Sequence, residues 1–110
     1  MTIDFNHLEE VKIDGFKGGK GKLFMRSFAD EKCRIMHGVL RPGASSGLHC
    51  HSKNSEILYV LSGVATFYCD GEQEIVRPGQ VHYCPMGHSH YMENNETEDL
   101  VYLAIVPEHH

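Results

Sequence analysis

Three residues near the middle of the chain have the types and the spacing of a metal site. His49 and His51 stand two positions apart, so on an extended strand both imidazoles point to one side while Cys50 points to the other. Glu56 follows after a polar bend, residues 52–55, which can return the chain so that its carboxylate meets the two rings. Nitrogen and oxygen donors of this kind suit first-row divalent metals. A fourth donor must come from elsewhere in the chain.

Regularly spaced turns predict the elements that carry these residues. From residue 62 onward, turn formers recur at short, even intervals and separate runs rich in Val, Tyr, Phe, Thr and Ile. This pattern is typical of consecutive short antiparallel strands. Residues 22–28 and 34–40 are further strand candidates, and only residues 5–11 suggest a helix. The sequence therefore predicts an all-β fold, with residues 1–110 as a single domain.

Two segments, residues 57–61 and 100–106, are apolar on both faces. A strand with one face in water would alternate between apolar and polar residues, so each segment must have protein on both sides. A two-layer barrel supplies the inner cover, and a second copy of the chain would supply the outer one. We therefore expect a homodimer.

The stretch from residue 43 to residue 94 resembles both sequence motifs of the cupin superfamily. The first motif combines a glycine, a His-x-His pair, a glutamate and a second glycine. The second combines a glycine, Pro-x-Gly, a histidine and an asparagine. Both occur here in order and at the expected spacing, at Gly43, His49, His51, Glu56, Gly63, Gly79, Pro85, Gly87, His90 and Asn94. The chain is thus similar to a small single-domain cupin, and the resemblance implies a jelly-roll barrel, the cupin-type double-stranded β-helix.

The resemblance also implies a complete ligand set. In cupins the motif histidines and glutamate bind a metal inside the barrel, which makes His49, His51, Glu56 and His90 the expected ligands. The alternative is that these are ordinary surface or core residues around a vestigial site. We expect one divalent transition metal, manganese or iron in the cell, with nickel, zinc or cobalt as alternatives.

Strand alternation predicts which side chains line the pocket around the metal. Counting by twos from the ligands puts Leu58, Val60 and Met92 on the inner side. The resemblance to small cupins favours an inward orientation for Tyr102, Ala104 and Val106, although alternation alone leaves the parity of this strand open. Such a pocket is oily and suits a small uncharged or chelating ligand.

Three residues are candidates for proton transfer or support. Tyr102 is the first candidate, because a buried phenol needs a polar partner that bound substrate could provide; the competing interpretation is a packing tyrosine. His88 lies just before the expected ligand His90 and His82 on the strand leading to it. Either could support the metal or transfer a proton, and a structural or exposed histidine is the competing interpretation for both.

These features predict a metal-dependent enzyme that acts on a small organic molecule, either a dioxygenase or an isomerase or lyase. The alternative is a non-catalytic, metal-containing module that binds a small sugar-like molecule, because cupins include both classes. An enzyme would alter its substrate, whereas a binding module would only gain thermal stability from its ligand.

Composition narrows the partners and the compartment. The net charge of −5 argues against nucleic acid, and no tract approaches the roughly 18 apolar residues of a membrane span. The first residues lack the order of a secretory signal, so we expect a cytoplasmic protein. The cysteines, Cys33, Cys50, Cys69 and Cys84, have no Cys-x-x-Cys pair and are interpreted as buried thiols. Of nine histidines, His109 and His110 are terminal, native or a tag remnant.

Overall fold

The computed structural model describes residues 1–109, and His110 lies outside the described residues. Within that range ten β-strands form two antiparallel sheets, with short 3-10 turns at Phe5–His7 and Phe16–Gly18. The strands are β1 (Val11–Asp14), β2 (Lys22–Ala29), β3 (Cys33–Leu40), β4 (His49–Cys50), β5 (Glu56–Ser62), β6 (Ala65–Cys69), β7 (Glu72–Val76), β8 (Val81–Cys84), β9 (Ser89–Glu93) and β10 (Leu100–Pro107).

The larger sheet has the strand order β1-β2-β3-β10-β5-β8, and the smaller sheet has the order β4-β9-β6-β7. β10 pairs along its length with β3 on one side and with β5 on the other, so it forms the centre of the larger sheet. Consecutive strands cross repeatedly between the two sheets. This arrangement confirms the predicted all-β jelly-roll barrel of the cupin type.

β10 illustrates why its sequence forms a strand with protein on both sides. Its inward side chains, Leu100, Tyr102, Ala104 and Val106, are all buried, and the intervening ones are half-buried. The parity that alternation left open is therefore the one that the resemblance favoured. Burying a large apolar side chain of this kind stabilises the fold by roughly 1.5–3 kcal/mol.

The motif glycines occupy turns that other residues adopt with strain. Gly43, Gly63, Gly79 and Gly87 all have φ between +77° and +91°, the left-handed region that favours glycine. At Gly63 a Cβ atom would also lie 2.4 Å from the carbonyl oxygen of Asp99. The motif asparagine, Asn94, is fully buried and donates to the carbonyl oxygens of Leu40 and Glu98. These residues hold the barrel's turns rather than the metal.

Some local expectations differ from the structure. The helix expected over residues 5–11 is only the 3-10 turn Phe5–His7, because β1 begins at Val11. The interpretation of the cysteines as buried thiols holds for Cys84 but is wrong for Cys50, which is exposed. Cys50 follows His49 on β4 and therefore points away from the interior. Across residues 1–109 no helix is long and apolar enough to cross a membrane.

Candidate metal centre

Four side chains from three strands and one bend converge inside the barrel. His49 on β4 lies directly opposite His90 on β9, and His51 follows immediately after β4. Glu56 is the first residue of β5, which belongs to the other sheet. Each offers one ligand atom, and these four atoms all lie within 4.8 Å of one another. The structure thus brings together the four residues predicted as ligands.

The distances within this cluster are those of donors that share one ion. The Nε2 atom of His90 lies 2.9 Å from that of His51 and 3.1 Å from that of His49. The Glu56 Oε1 atom lies 2.9 Å from His90 Nε2 and 3.3 Å from His51 Nε2. Bonds of about 2.1 Å place neighbouring donors about 3.0 Å apart at right angles and about 3.4 Å apart at tetrahedral angles. The four distances lie close to these two values, so the donors fit around one ion.

Each imidazole of the candidate ligand set is held through its other ring nitrogen. His49 Nδ1 donates to the Gly47 carbonyl oxygen over 2.8 Å, and His51 Nδ1 donates to Asn54 Oδ1 over 2.6 Å. The Nδ1 atom of His90 lies 3.0 Å from His82 Nε2. In a metal-loaded protein, a neutral ring with its proton on Nδ1 would leave the Nε2 lone pair free, and three such lone pairs facing one another suit a cation between them. The donor set therefore fits a divalent transition metal.

The electrostatics of the cluster also suit a cation. Burial alone would raise the pKa of Glu56, but hydrogen bonds from His51 and His90 outweigh it and hold the pKa well below its usual range. The hydrogen bond to Glu56 is the largest cause that raises the pKa of His51, whereas burial lowers the pKa of His49. A carboxylate therefore persists at the centre of the cluster, where a metal can replace a proton.

A cavity of about 220 Å³ opens onto this cluster. It is smaller than the roughly 300–1,000 Å³ typical of pockets for drug-sized ligands, so it suits a molecule of few atoms. Five predicted pocket residues line it: Leu58, Met92, Tyr102, Ala104 and Val106. Val60 does not. It is fully buried in the apolar core, because β5 has passed beyond the cavity by that point.

Of the predicted catalytic residues, Tyr102 and His88 have different environments. Tyr102 is only 2% exposed, and burial raises the pKa of its phenol, which therefore stays protonated. Its ring packs over Gly38, where a Cβ atom would lie 2.3 Å from the ring. His88 does not line the cavity: its side chain is half exposed and hydrogen-bonds Asp70 at the surface. The reason is that β9 begins one residue later, at Ser89, so His88 lies outside the strand and alternation does not apply to it.

His82 lies deeper than either. It is fully buried, its ring stacks on Phe67 with 3.7 Å between centroids, and its two nitrogens face Glu74 and His90. Burial lowers the pKa of His82 more strongly than the Glu74 carboxylate raises it, so the ring is neutral. His82 thus supports a predicted ligand and does not touch the cavity.

Charged residues that the sequence did not predict also surround the cavity. Lys17, Arg34 and Glu108 are among its lining residues, so the pocket is less uniformly oily than the sequence predicts. Arg34 continues the inward row of β3, where Met36, Gly38 and Leu40 are buried. That alternation was a usable signal for Arg34. Lys17 lies in a glycine-rich loop whose path over the cavity no local pattern indicates.

Comparison with known proteins agrees with this geometry. The family model described as a cupin domain matches residues 36–106. The oxalate-binding protein of Thermotoga maritima is 31% identical over 96% of this chain and 93% of its own length. A crystal structure of a predicted oxalate decarboxylase from the same organism has a TM-score of 0.91 and 31% identity, and the match covers 98% of this chain and 99% of that chain.

A second curated relative is much longer than this chain. Oxalate decarboxylase OxdC of Bacillus subtilis is 37% identical over 66% of this chain, but the match covers only 20% of that protein.

Proposed function

Because the chain belongs to the cupin family, we propose that it binds one divalent transition metal and uses it to bind a small dicarboxylate such as oxalate. His49, His51, Glu56 and His90 hold the metal. Manganese or iron is the ion we propose, since three imidazoles and one carboxylate are a donor set that suits first-row divalent metals. When bound, the metal would supply a Lewis-acidic centre for ligand oxygens.

The charged residues that line the cavity are the basis for proposing a dicarboxylate ligand. Lys17 and Arg34 line a cavity whose floor is the metal cluster. The ammonium of Lys17 is close enough to oppose the rise in the pKa of His51. An arginine guanidinium pairs with a carboxylate through two parallel hydrogen bonds, so Arg34 can hold the end of an anion whose other end reaches the metal. The relatives in Thermotoga and Bacillus, an oxalate-binding protein and an oxalate decarboxylase, support the same ligand class.

The remaining lining explains why the ligand should be small. Leu58, Met92, Ala104 and Val106 offer apolar walls without hydrogen-bonding groups. Glu108 lines the cavity as well, and its carboxylate accepts a hydrogen bond from Asn54 over 3.2 Å. This acid would repel a longer polyanion. A two-carbon dianion is the shortest dicarboxylate and is therefore the one least affected by this repulsion.

Calorimetry on the manganese-loaded protein tests this proposal. Oxalate should bind, whereas formate and acetate should bind at least about tenfold more weakly because they lack the second carboxylate. Arg34→Gln should weaken oxalate binding by about 10–100-fold, the worth of hydrogen bonds to charged groups. Arg77→Gln is the matched control, since Arg77 is exposed and does not line the cavity. Equal oxalate affinity in wild type and Arg34→Gln would refute the role of Arg34.

A second candidate function is decarboxylation of the same ligand. In that reaction the carbon–carbon bond of oxalate breaks, one half leaves as carbon dioxide, and the other carbon gains a proton to become formate. Tyr102 is protonated and lines the cavity, so it can donate a hydrogen bond to the reacting carboxylate. The names of the relatives favour this lyase over the predicted dioxygenase. Formate production by the manganese-loaded protein would establish turnover, and binding without formate would assign a binding module.

We also propose that the chain forms a homodimer through the outer face of β5 and β8. Ile57 lies opposite Tyr83 and Tyr59 opposite Val81 in that strand pair, and all four side chains are between 37% and 56% exposed. Leu61 extends the same face. Five exposed apolar side chains without a charge among them resemble an interface core more than a wet surface. The occupant we propose is a second copy of the same face.

A further inference from the structure

A chain of hydrogen bonds connects the candidate metal ligand His90 to the protein surface. His90 Nδ1 lies 3.0 Å from His82 Nε2, and His82 Nδ1 lies 2.7 Å from a carboxylate oxygen of Glu74. The side chain of Glu74 is 45% exposed, whereas those of His82 and His90 are buried. The series Glu74–His82–His90, here called the histidine relay, therefore runs from solvent to the metal cluster.

The groups at the two ends determine the direction of both hydrogen bonds. An ionised carboxylate only accepts, so the proton between Glu74 and His82 resides on His82 Nδ1. At the inner end, a His90 that binds a metal through Nε2 carries its proton on Nδ1 and donates it to His82 Nε2. The Nε2 lone pair of His90 then faces the position between the other three candidate ligands. Among residues 1–109, no buried side-chain nitrogen or oxygen lacks a hydrogen-bond partner, so the relay is complete.

Ring packing holds the relay in this geometry. The rings of His82 and His90 are nearly parallel, with an interplanar angle of 17°, so the lone pair of one ring and the N–H group of the other lie close to one plane. Phe67 stacks on His82 at 12° and also lies against His90. These contacts fix the planes of both imidazoles.

The relay differs from the supports of the other two imidazoles. His49 and His51 donate to groups two and three residues away in their own segment, Gly47 and Asn54. The relay instead joins β7 and β9 of the smaller sheet to β8 of the larger one. The orientation of His90 therefore depends on residues far from the metal cluster.

We propose that His82 and Glu74 are positioning residues for the metal centre. They hold His90 in the tautomer with its proton on Nδ1, aim its Nε2 atom at the metal, and make that nitrogen a stronger donor through the carboxylate at the far end. This inference rests on the four-residue metal centre of the proposed function but not on the identity of its ligand.

Binding of cobalt(II) to the purified, metal-stripped protein tests the relay, with absorption as the spectroscopic signature. His82→Phe keeps an aromatic ring on Phe67 but removes the acceptor, and should weaken cobalt affinity by about 10–100-fold, the usual effect of losing such a partner. His82→Gln can still accept from His90 and donate to Glu74, so it should recover most of the affinity. Glu74→Gln should cost a smaller factor, about 3–10-fold.

The matched control is Glu72→Gln, which removes the same charge two residues away on β7 from an exposed residue outside the relay. It should leave cobalt affinity and absorption unchanged. Affinities of His82→Phe and Glu74→Gln within twofold of wild type would overturn the proposal. If His82→Phe fails to fold, the cobalt affinities of Glu74→Gln and Glu72→Gln are compared instead, and equal affinities would overturn the proposal.

A second readout does not depend on affinity. In zinc-loaded protein, long-range ¹H–¹⁵N correlation spectra should place a proton on Nδ1 of both His82 and His90. A proton on Nε2 of His82 would reverse the relay and refute it. Wild-type protein that binds neither cobalt nor zinc would instead refute the metal centre, and the tautomer of His82 in the metal-free protein would then decide the relay on its own.

Discussion

The barrel interior has two halves that follow the same strand pattern but are filled differently. β10 runs through both: Leu100 at its start lies in the apolar core, whereas Ala104 and Val106 further along line the cavity. β5 also runs through both halves but in the opposite direction: it begins at the candidate ligand Glu56 and continues to Val60 in the buried core. One alternation of inward side chains thus forms a packed half and a half that contains the candidate metal cluster, here called the metal half.

In the packed half, large side chains meet across neighbouring strands. Leu23 on β2, Leu40 on β3 and Leu100 on β10 occupy the same row of the larger sheet, and each is at most 1% exposed. At the other end of the same strands, Val106 on β10 lies opposite Arg34 on β3, and Ala104 is the inward residue before Val106. Smaller inward residues there leave room for the cavity, and buried imidazoles replace leucines.

This difference indicates that stability and metal binding depend on separate parts of the interior. The packed half supplies apolar burial, which stabilises a fold in proportion to the area removed from water. The metal half contributes a hydrogen-bonded cluster whose proposed role is to hold an ion. Substitutions in one half should therefore leave the property of the other half largely intact.

The largest effect is expected from removing a candidate ligand. Wild type should hold about one metal ion per chain, and His51→Ala or His90→Ala should lower metal affinity by at least about a thousandfold, more than the 10–100-fold typical of outer partners. The circular-dichroism spectrum should keep its β-sheet form, because the packed half is untouched. Elemental analysis and native mass spectrometry measure the metal; full occupancy in both variants would contradict the ligand assignment.

The converse change lies in the packed half. Leu100→Ala should lower the free energy of unfolding by about 2–5 kcal/mol, because a fully buried leucine is replaced by a cavity. Denaturant titration of the metal-free protein measures this loss. Leu48→Ala, at a leucine 70% exposed, is the control and should change it by less than about 0.5 kcal/mol. Metal content in folded Leu100→Ala should stay near one ion per chain, and its loss would show that the two halves are coupled.

The outer face of β5 should be independent of both halves. Leu61→Glu places a charge in the proposed dimer interface and should weaken self-association by about 10–100-fold, as expected when a charge is buried unpaired. Ile75→Glu is the matched control on the smaller sheet, with 44% exposure against 46% for Leu61. Light scattering should find about twice the chain mass of 12.4 kDa for wild type and Ile75→Glu. A monomeric wild type at micromolar concentration would refute the dimer.

The fold and the inward rows could be predicted because both depend on patterns within one strand. Period-two alternation identified Leu58 and Met92 as cavity residues, and the two motifs predicted the convergence of His49, His51, Glu56 and His90. The resemblance to small cupins supplied the parity that places Tyr102 and Ala104 inside. Turn residues such as Gly63 predicted where one strand ends and the next one begins.

The remaining features depend on contacts between segments that no local pattern specifies. The role of His82 follows from the positions of β7, β8 and β9 relative to one another, and Glu74 has no sequence signal at all. Lys17 reaches the cavity because its glycine-rich loop folds back, with the Gly47 backbone amide donating to Phe16. His88 and Val60 were misplaced because strand counting does not reveal where a strand begins or where a cavity ends.

The smallest effect is expected at Tyr102, which lies between the two halves. Tyr102→Phe removes one hydroxyl from the cavity wall, so metal content should not change and the affinity for oxalate should fall by only about 3–10-fold, the net worth of one hydrogen bond. Its phenol is fully protonated at neutral pH because burial raises its pKa, so it can donate to a bound carboxylate but cannot act as a base. Calorimetry of the manganese-loaded variant measures the change. If the protein decarboxylates oxalate, formate production should fall more than affinity does. Unchanged affinity and turnover would leave Tyr102 as a packing residue over Gly38.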